Sequence, residues 1–268
     1  MLLLILALIA AGVASGFLAG LAGIGGGIVT VPVLEFILEW YGVPSEFRMQ
    51  IAVATALAII IPTSVSSARA HHLRGAVDLA LVRQWGWAIG LGAIIGVLIA
   101  SRLDGTTLAA VFAAFAILVA VKMALPLDNK VITDKVPGGL LIKLLPMSIG
   151  AFSSMMGIGG GTLTVPSLTL MGKKIHRAVG TSALFGLLIA IPGTIAFVAV
   201  AWGLPGLPPT NWGYVNLAGF AVIAPAAVLS APLGARVAHS LSHRSLSGFF
   251  GAFLLVVAVR MLLQAVSG

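Results

Sequence analysis

The sequence Gly23-Ile-Gly-Gly-Gly-Ile-Val-Thr-Val-Pro-Val-Leu34 recurs as Gly157-Ile-Gly-Gly-Gly-Thr-Leu-Thr-Val-Pro-Ser-Leu168. The offset of 134 residues (157 minus 23) is half of the 268-residue chain. A second pair of segments follows in the same order, since Ala52-Val-Ala-Thr-Ala56 matches Ala178-Val-Gly-Thr-Ser182. A third pair ends each half, Phe115-Ala-Ile-Leu-Val-Ala-Val-Lys-Met123 and Phe253-Leu-Leu-Val-Val-Ala-Val-Arg-Met261. The chain therefore consists of two homologous halves.

The composition indicates that both halves lie in a membrane. Hydrophobic side chains make up 60% of the chain and charged ones only 8%, whereas soluble globular chains carry about 25% charged residues. Asp, Glu, Lys and Arg are absent from residues 1–34, 144–172 and 178–235. About 20 apolar residues suffice to cross the hydrocarbon core of a bilayer. We therefore predict an all-α polytopic membrane protein.

Each half contains four predicted elements, the first of which is a helix broken at the glycine run. The elements of the first half lie near 2–38, 50–68, 79–101 and 105–124. Those of the second half lie near 139–172, 178–202, 213–237 and 245–265. Charged and turn-forming residues separate the halves. The predicted division is a first membrane repeat at 1–127, a cytoplasmic linker at 128–138 and a second membrane repeat at 139–268.

The charges of matching loops predict that the two repeats are inverted. The loop after the broken element carries Glu39, Glu46 and Arg48 in the first half, but Lys173, Lys174, His176 and Arg177 in the second. The next pair reverses this pattern, with Arg69, Arg74 and Arg83 against an uncharged loop from Gly203 to Gly213. The last pair has Arg102 and Asp104 against Arg236 and Arg244. Because Lys and Arg accumulate in cytoplasmic loops, those near 74, 130, 175 and 243 are predicted to be cytoplasmic and both termini external.

The glycine runs predict the binding site. Four glycines in five residues cannot sustain a helix, because each costs about 1 kcal/mol relative to alanine. Irregular backbone at membrane depth is tolerated only where it is buried in protein or lines a cavity. We expect each helix to resume at a Thr-Val-Pro segment with the threonine as cap, so that two helix N-termini attract an anion. The predicted contacts are the backbone N–H groups of Gly25, Gly26, Gly27, Gly159, Gly160 and Gly161.

A second interpretation is that the glycines only allow helices to approach closely. Two runs at matched positions of an inverted repeat favour the binding site over this alternative. The two interpretations differ in what substitutions do. Valine at Gly26 or Gly160 should abolish binding, whereas alanine at Gly12 or Gly251, outside the motif, should have a mild effect.

Hydroxyl groups near the glycine runs form the second part of the predicted site. A buried anion needs donors, and this chain offers almost no Lys or Arg at the centres of its spans. The predicted donors are Thr30, Thr55, Thr164, Thr181 and Ser182. The hydroxyls of Thr55, Thr181 and Ser182 could equally bond a preceding carbonyl. Arg83 could reach inward towards an anion, although an arginine at this position more commonly snorkels to the interface.

Other functions find no support in the sequence. The net charge of +8 comes without a basic cluster interleaved with aromatics, so nucleic acid is not expected as a partner. The absence of cysteine excludes disulfides, thiolate zinc sites and cysteine nucleophiles. The glycine runs match neither a dinucleotide fingerprint nor a phosphate loop. Neither a nucleophile with a base nor a carboxylate pair occurs at membrane depth, so we expect no enzyme, no metal site and no cofactor.

These motifs resemble those of the TauE/SafE family of sulfite exporter-like membrane proteins. The resemblance rests on the duplicated Gly-Ile-Gly-Gly-Gly-x-x-Thr-Val-Pro, on Ala178-Val-Gly-Thr-Ser182 and on the basic helix-end loops, and it covers essentially the whole chain. It implies a secondary transporter of a bacterial inner membrane that moves small sulfur-containing or organic anions, such as sulfite, sulfonates or sulfoacetate, usually outward. Because the first half has Thr55-Ala56 where the second has Thr181-Ser182, the two half-sites are predicted to be unequal.

An anion channel or a structural membrane protein without carrier activity is the alternative function. An internal duplication with broken helices favours alternating access, because channels usually build a pore from oligomer symmetry. Coupling to H⁺ or Na⁺ is left open by the residues. Glu35 and Glu39 follow the first glycine run and could relay protons, but Thr169 stands where the second half would match Glu35.

Overall fold

The fold is taken from a computed structural model that describes residues 2–22, 26–124 and 141–237 together with Leu255 and Val259. The helices are α1 (Leu2–Ala22), α2 (Gly27–Trp40), α3 (Ser45–His72), α4 (Leu79–Ala100), α5 (Gly105–Ala124), α6 (Leu141–Met155), α7 (Gly161–Leu170), α8 (Ile175–Val200) and α9 (Leu217–Val237). Two short antiparallel strands, β1 (Asn211–Trp212) and β2 (Val215–Asn216), precede α9. Apart from this hairpin, the described elements are helical, as predicted.

Both glycine runs interrupt a helix. The first interruption separates α1 from α2, and the second separates α6 from α7. Gly26 leads into α2 with a φ of 75°, a left-handed conformation that glycine adopts without steric cost. Gly25 and the predicted linker at 128–138 lie outside the described residues. The predicted breaks are therefore present in both halves.

The prediction that Thr30 and Thr164 cap the resumed helices is wrong. α2 and α7 begin at Gly27 and Gly161, before the threonines and inside the glycine runs. The hydroxyl of Thr30 instead donates to the carbonyl oxygen of Gly26 at 3.2 Å, one turn back in the helix. The physical reason is that Gly26 can adopt the conformation required at the helix entry, so the helix starts there rather than at the threonine.

Four helices of the described segments are long and apolar enough to cross a membrane, namely α3, α4, α8 and α9. They correspond to the predicted elements near 50–68, 79–101, 178–202 and 213–237. α3 extends beyond its predicted bounds at both ends, and α9 starts only after the β-hairpin. Leu255 and Val259 are helical, and the rest of the predicted element near 245–265 lies outside the described residues. The chain is therefore a helical membrane protein with several candidate spans.

α3 occupies the centre of the molecule. It contacts α2, α5, α8 and α9, and every residue from 51 to 60 is buried. A helix that is apolar and buried on all sides is typical of the interior of a membrane bundle. α2, which starts at the first glycine run, is therefore held against a helix that is shielded from lipid over this stretch.

The first helix of each half packs in parallel against a helix of the other half. Gly12, Gly16 and Gly20 of α1 lie, in this order, against the backbone of Ile223, Ala227 and Ala231 of α9. Likewise, Gly92 and Gly96 of α4 lie against the backbone of Met147 and Ala151 of α6. Small residues that let two backbones approach closely are typical of helix packing in membranes. The two halves are thus joined by two glycine-lined helix pairs.

Contacts of α3 and α8 show in which direction these two helix pairs run relative to each other. α3 and α9 are parallel, because Thr55 is bonded to Asn216 and, farther along both helices, Ser66 is bonded to Val228. α4 and α8 are parallel as well, since Asp78 is bonded to Thr181 and Gly90 lies near Pro192. α3 and α8 are antiparallel, because Gly186 faces Ser64 whereas the later Gly193 faces the earlier Leu57. Hence α1, α3 and α9 run in one direction, and α4, α6 and α8 run in the other.

The loops divide between the two ends of the bundle. The ammonium of Lys173, in the loop after α7, lies 2.9 Å from the carboxylate of Asp78, in the loop after α3. At the other end of α3, Phe47 lies against Gly206 of the loop after α8. The loops at 73–78 and 171–174 therefore share one end of the molecule, and the loop at 201–216 lies near the opposite end of α3.

The expectation that Gly12 accepts alanine with a mild effect is wrong. A Cβ atom at Gly12 would lie 2.7 Å from the carbonyl oxygen of Ile223 and 2.8 Å from the Cβ of Ala226. At these distances α1 and α9 would have to separate, and overpacking of this kind is destabilising. The matching expectation for Gly251 falls outside the described residues.

Candidate functional site

The two glycine runs contact each other. A side chain at Gly27, the first residue of α2, would collide with the carbonyl group of Gly157. Gly157 has a φ of 62° and also lies against Val31 of α2 and Val53 of α3. Because neither Gly27 nor Gly157 carries a side chain, irregular backbone from the second half reaches the start of α2. The glycine runs are thus both helix breaks and a contact between the two halves.

This contact lies near the middle of α3. On one side, Gly157 packs against Val53 of that helix. On the other side, Gly160 packs against Gly186 of α8, which in turn faces Ser64 of α3. Val53 and Ser64 lie on either side of the midpoint of the helix Ser45–His72. The glycine runs therefore meet at the depth of the molecule's central helix, away from its ends.

The helices that start at the glycine runs have no side-chain cap. The residues that precede α2 and α7 are Gly26 and Gly160, which have no side chain that could accept a hydrogen bond from the first turn. By contrast, Asp78 accepts from the N–H of Leu81 at the start of α4, and Asn216 accepts from that of Gly219 in α9. Uncapped helix N-termini present N–H groups and a partial positive charge. At the glycine runs this charge is directed into the protein interior.

Three buried hydroxyls near the second glycine run have no hydrogen-bond partner among the residues that the structure describes. They belong to Ser153 in α6 and to Thr162 and Thr164 in α7. Thr164 is fully buried, and the other two are nearly so. An unpaired buried hydroxyl is costly and is rare in folded proteins. These groups can donate to an oxygen atom of a bound anion.

The predicted hydroxyls differ in whether they are already engaged. Thr30 donates to the carbonyl of Gly26, and Ser182 donates to that of Val179 at 2.8 Å. The oxygens of Thr55 and Thr181 accept hydrogen bonds from the backbone N–H groups of Asn216 and Asp78. Both threonines are fully buried. Of the predicted donors, Thr164 is the one whose hydroxyl has no partner.

The structure does not bring Arg83 to the other predicted residues. Arg83 is exposed on α4, whereas Trp85, two residues later, is fully buried. The buried face of α4 therefore carries the indole and not the guanidinium. Arg83 thus lies on the outer face of the helix, as expected for an interfacial arginine.

Sequence reasoning missed Ser153, Thr162 and Trp85. The indole Nε1 of Trp85 is buried without a partner. Its ring stacks on that of Phe185, with 6.2 Å between the ring centroids, and Phe185 borders Gly160. Thr162 could have been found, because it lies in the repeated motif where the first half has the apolar Ile28. Ser153 and Trp85 carry no comparable signal, since a lone polar group in an apolar helix identifies no function.

Charged groups lie on the helices and loops around this site. The hydrogen bond from Lys173 lowers the pKa of Asp78, which lies in the loop before α4. Glu39 is paired with Arg48 at 3.1 Å. Glu35 in α2 is a buried carboxylate. Among the residues that the structure describes, no group of three His, Asp or Glu side chains could hold a metal ion.

Comparisons with known proteins agree with this architecture. The family model described as "Sulfite exporter TauE/SafE" matches residues 8–261. A probable membrane transporter protein of Haemophilus influenzae is 37% identical over 253 residues, which cover 94% of this chain and 96% of that protein. A probable membrane transporter protein of Methanocaldococcus jannaschii is 28% identical over 98% of this chain and 97% of its own length. No solved structure matches the chain significantly. The chain therefore belongs to the TauE/SafE sulfite exporter family of membrane transporters.

Proposed function

We propose that the chain is a secondary transporter that exports small sulfur-containing or organic anions across the inner membrane by alternating access. The substrates we propose are of the sulfite, sulfonate or sulfoacetate type, in keeping with the family description. The observation that carries the proposal is the contact of Gly27 with Gly157 beside two uncapped helix N-termini.

Alternating access requires two units that can move against each other around one site, and inverted repeats supply them. The relative helix directions support an inverted repeat in this chain. The matched elements are α1 and α6, α3 and α8, and α4 and α9. The two members of each match run in opposite directions according to the contacts described above. A parallel repeat would have given each match the same direction.

The anion is proposed to bind where the glycine runs meet. The backbone N–H groups of Gly26, Gly27, Gly159, Gly160 and Gly161 would solvate its charge together with the two helix dipoles. The unpaired hydroxyl of Thr164 would donate to the anion, as would those of Ser153 and Thr162. This arrangement binds an anion without a buried lysine or arginine, whose desolvation is expensive.

The two half-sites are proposed to contribute unequally. In the first half, the hydroxyl of Thr30 is already bonded to the carbonyl oxygen of Gly26, and the side chain of Ile28 has no hydrogen-bond donor. In the second half, Thr162 and Thr164 occupy the matching positions with free hydroxyls. The anion is therefore expected to lie closer to the N-terminus of α7 than to that of α2.

A proton is the coupling ion we propose, with Glu35 as its carrier. Glu35 is a buried carboxylate on α2, the helix that starts at the site, and ionisable residues within membrane proteins commonly serve ion coupling. Glu35→Gln should then retain exchange of anions but lose export driven by a proton gradient. Glu39→Gln is the matched control, because Glu39 is exposed and paired with Arg48. A response to a sodium gradient alone would contradict this assignment.

Counterflow in proteoliposomes tests the function. Vesicles that contain the purified chain are loaded with unlabelled sulfite, sulfoacetate or another small sulfonate, and uptake of the labelled anion is followed. A carrier accumulates label transiently because the internal anion drives exchange, whereas a channel only equilibrates the label. Exchange that is no faster than in empty vesicles for every anion tested would refute the proposal, provided that the reconstituted protein is folded.

A further inference from the structure

A groove between the C-terminal ends of α3 and α9 carries three arginines that the transport site does not use. Arg69 lies in the last turn of α3, Arg74 follows that helix, and Arg236 lies in the last turn of α9. The groove encloses about 870 Å³, which is within the range of about 300–1,000 Å³ typical of ligand sites. Its position on two membrane-spanning helices distinguishes it from the buried glycine runs.

α1 packs against the C-terminal ends of both α3 and α9. Farther from these ends, the two helices touch, since Ser66 of α3 donates to the carbonyl of Val228 in α9 at 3.2 Å. Near the ends, α1 contacts both helices. The carbonyl of Gly20 accepts from the Nε2 of His71 in α3 at 3.0 Å, while Gly20 packs closely on Ala231 of α9. Both helices that form the groove are therefore anchored to α1.

The three arginines have no counter-charge in the described parts of the chain. None of them forms an ion pair there, and the residues that line the groove include no Asp or Glu. One guanidinium N–H of Arg74 donates to the carbonyl of Ala70, which leaves its other donors available. The C-terminal dipoles of the two helices offset only about half a charge each. Three guanidiniums around one groove therefore favour an anionic occupant.

The remaining wall of the groove is apolar. Pro62 and Val65 of α3 and Val228 and Pro232 of α9 line it on the side away from the arginines. Val65 is 51% exposed, so the wall is accessible from the outer surface of the bundle. An occupant that matches both parts has an anionic group at one end and a hydrocarbon chain at the other.

We propose that this groove binds an anionic phospholipid. Its phosphate lies among Arg69, Arg74 and Arg236, and an acyl chain lies along the apolar wall. Arginine binds phosphate through paired, charge-assisted hydrogen bonds, and basic pockets between membrane helices suit anionic headgroups. A second copy of the chain fits less well, because a symmetric contact would bring two sets of arginines together. The proposal does not depend on the transported substrate.

Native mass spectrometry of the purified full-length chain in detergent tests this. Phosphatidylglycerol and phosphatidylcholine with the same acyl chains are titrated separately. We expect phosphatidylglycerol to bind the wild-type chain and the triple variant Arg69→Gln/Arg74→Gln/Arg236→Gln to bind it roughly 100-fold more weakly, since each basic residue near a membrane surface contributes about fivefold. The matched control, Arg102→Gln/Lys143→Gln/Lys174→Gln, removes three exposed charges elsewhere and should bind as the wild type does.

Two further measurements distinguish binding of the whole lipid from binding of its phosphate group alone. Val65→Trp fills the apolar wall without changing the charge and should also weaken binding, and it serves as the test if the triple variant fails to fold. Glycerol 1-phosphate in large excess should not displace the lipid, because it lacks the acyl chain. Equal binding of both lipids, an unaffected triple variant or Val65→Trp, or displacement by glycerol 1-phosphate would each overturn the proposal. So would a lipid-free dimer that the arginine substitutions dissociate.

Discussion

The hydroxyl oxygen of Thr181 accepts a hydrogen bond from the backbone N–H of Asp78 at 3.0 Å. Its counterpart in the first half, Thr55, accepts one from the N–H of Asn216 at 2.9 Å. In both cases the donor residue caps a helix with its side chain, α4 for Asp78 and α9 for Asn216. Each threonine thus links a central helix of one half to the start of a helix of the other.

Replacing Thr181 by valine should destabilise the protein by about 1–3 kcal/mol. The substitution leaves a partly buried N–H group without an acceptor, while the shape of the side chain is retained. Thr181→Ser is the control, because it keeps the hydroxyl oxygen. Thermal or denaturant unfolding in detergent measures the difference. If Thr181→Val is as stable as wild type, the hydrogen bond to Asp78 contributes nothing to the fold.

The pair of Asp78 and Lys173 should make stability depend on pH in acid. Because the pKa of Asp78 is lowered in the folded state, its carboxylate stabilises the fold above the unfolded-state pKa of about 3.9. This stabilisation is lost as the pH falls through the lower folded-state pKa. Asp78→Asn should therefore unfold more easily than wild type at pH 7, by roughly 1 kcal/mol for a partly exposed pair. The two unfolding midpoints should draw closer as the pH falls below the unfolded-state pKa of about 3.9, and a gap that does not narrow in acid would contradict this role.

Replacing Thr164 by valine should weaken anion binding without harming the fold. Its hydroxyl has no partner in the structure, so its loss removes a desolvation penalty and should leave stability equal or higher. A lost hydrogen bond to a charged ligand costs about 1.5–3 kcal/mol, which corresponds to a tenfold or larger loss of affinity for sulfite or a small sulfonate, measured by calorimetry. Thr30→Val is the comparison, because that hydroxyl is already bonded to Gly26. Equal affinities for wild type and Thr164→Val would mean that the anion does not bind at the hydroxyl of Thr164 on α7.

Alanine at Gly27 and at Gly90 should have opposite consequences. At Gly27 the new methyl group collides with the backbone of Gly157, so transport and stability should both fall. At Gly90 the nearest atoms lie 3.6 Å and 3.9 Å away, on Leu188 and Pro192, which is ordinary contact. Gly90→Ala should be neutral or raise stability by up to about 1 kcal/mol, because alanine favours the helix. Counterflow and thermal unfolding report both outcomes, and full activity of Gly27→Ala would mean that the two glycine runs need not touch.

Single cysteines should label from opposite sides of the membrane in the pattern of an inverted repeat. The chain contains no cysteine, so Leu73→Cys, Lys174→Cys and Trp202→Cys each provide one reactive thiol at an exposed position. An impermeant thiol reagent applied outside intact cells should label the cysteine at 202 and spare those at 73 and 174. Labelling of 73 and 174 from different sides would rule out this arrangement.

Some features could be predicted from the sequence because they depend on local chemistry. The helix breaks follow from the low helix propensity of glycine, whereas the inverted topology read from the loop charges stays a prediction. The start of α2 could not be predicted, because Gly26 adopts a φ that alanine or threonine would resist. The role of Thr55 was also hidden, since its partner Asn216 lies far away in the chain. Only the packed structure reveals that the hydroxyl of Thr164 is unpaired.

α1 of the first half packs on α9 of the second half, so this interface can form only late in biosynthesis. α1 is synthesised before its partner α9, and α2 to α8 are made between them. Until α9 is made, the contacts of Gly12, Gly16 and Gly20 with its backbone cannot form. α6, by contrast, is made after its partner α4. Assembly of the nascent chain therefore completes one interface early and the other late, and a truncation before residue 217 would leave α1 without its partner.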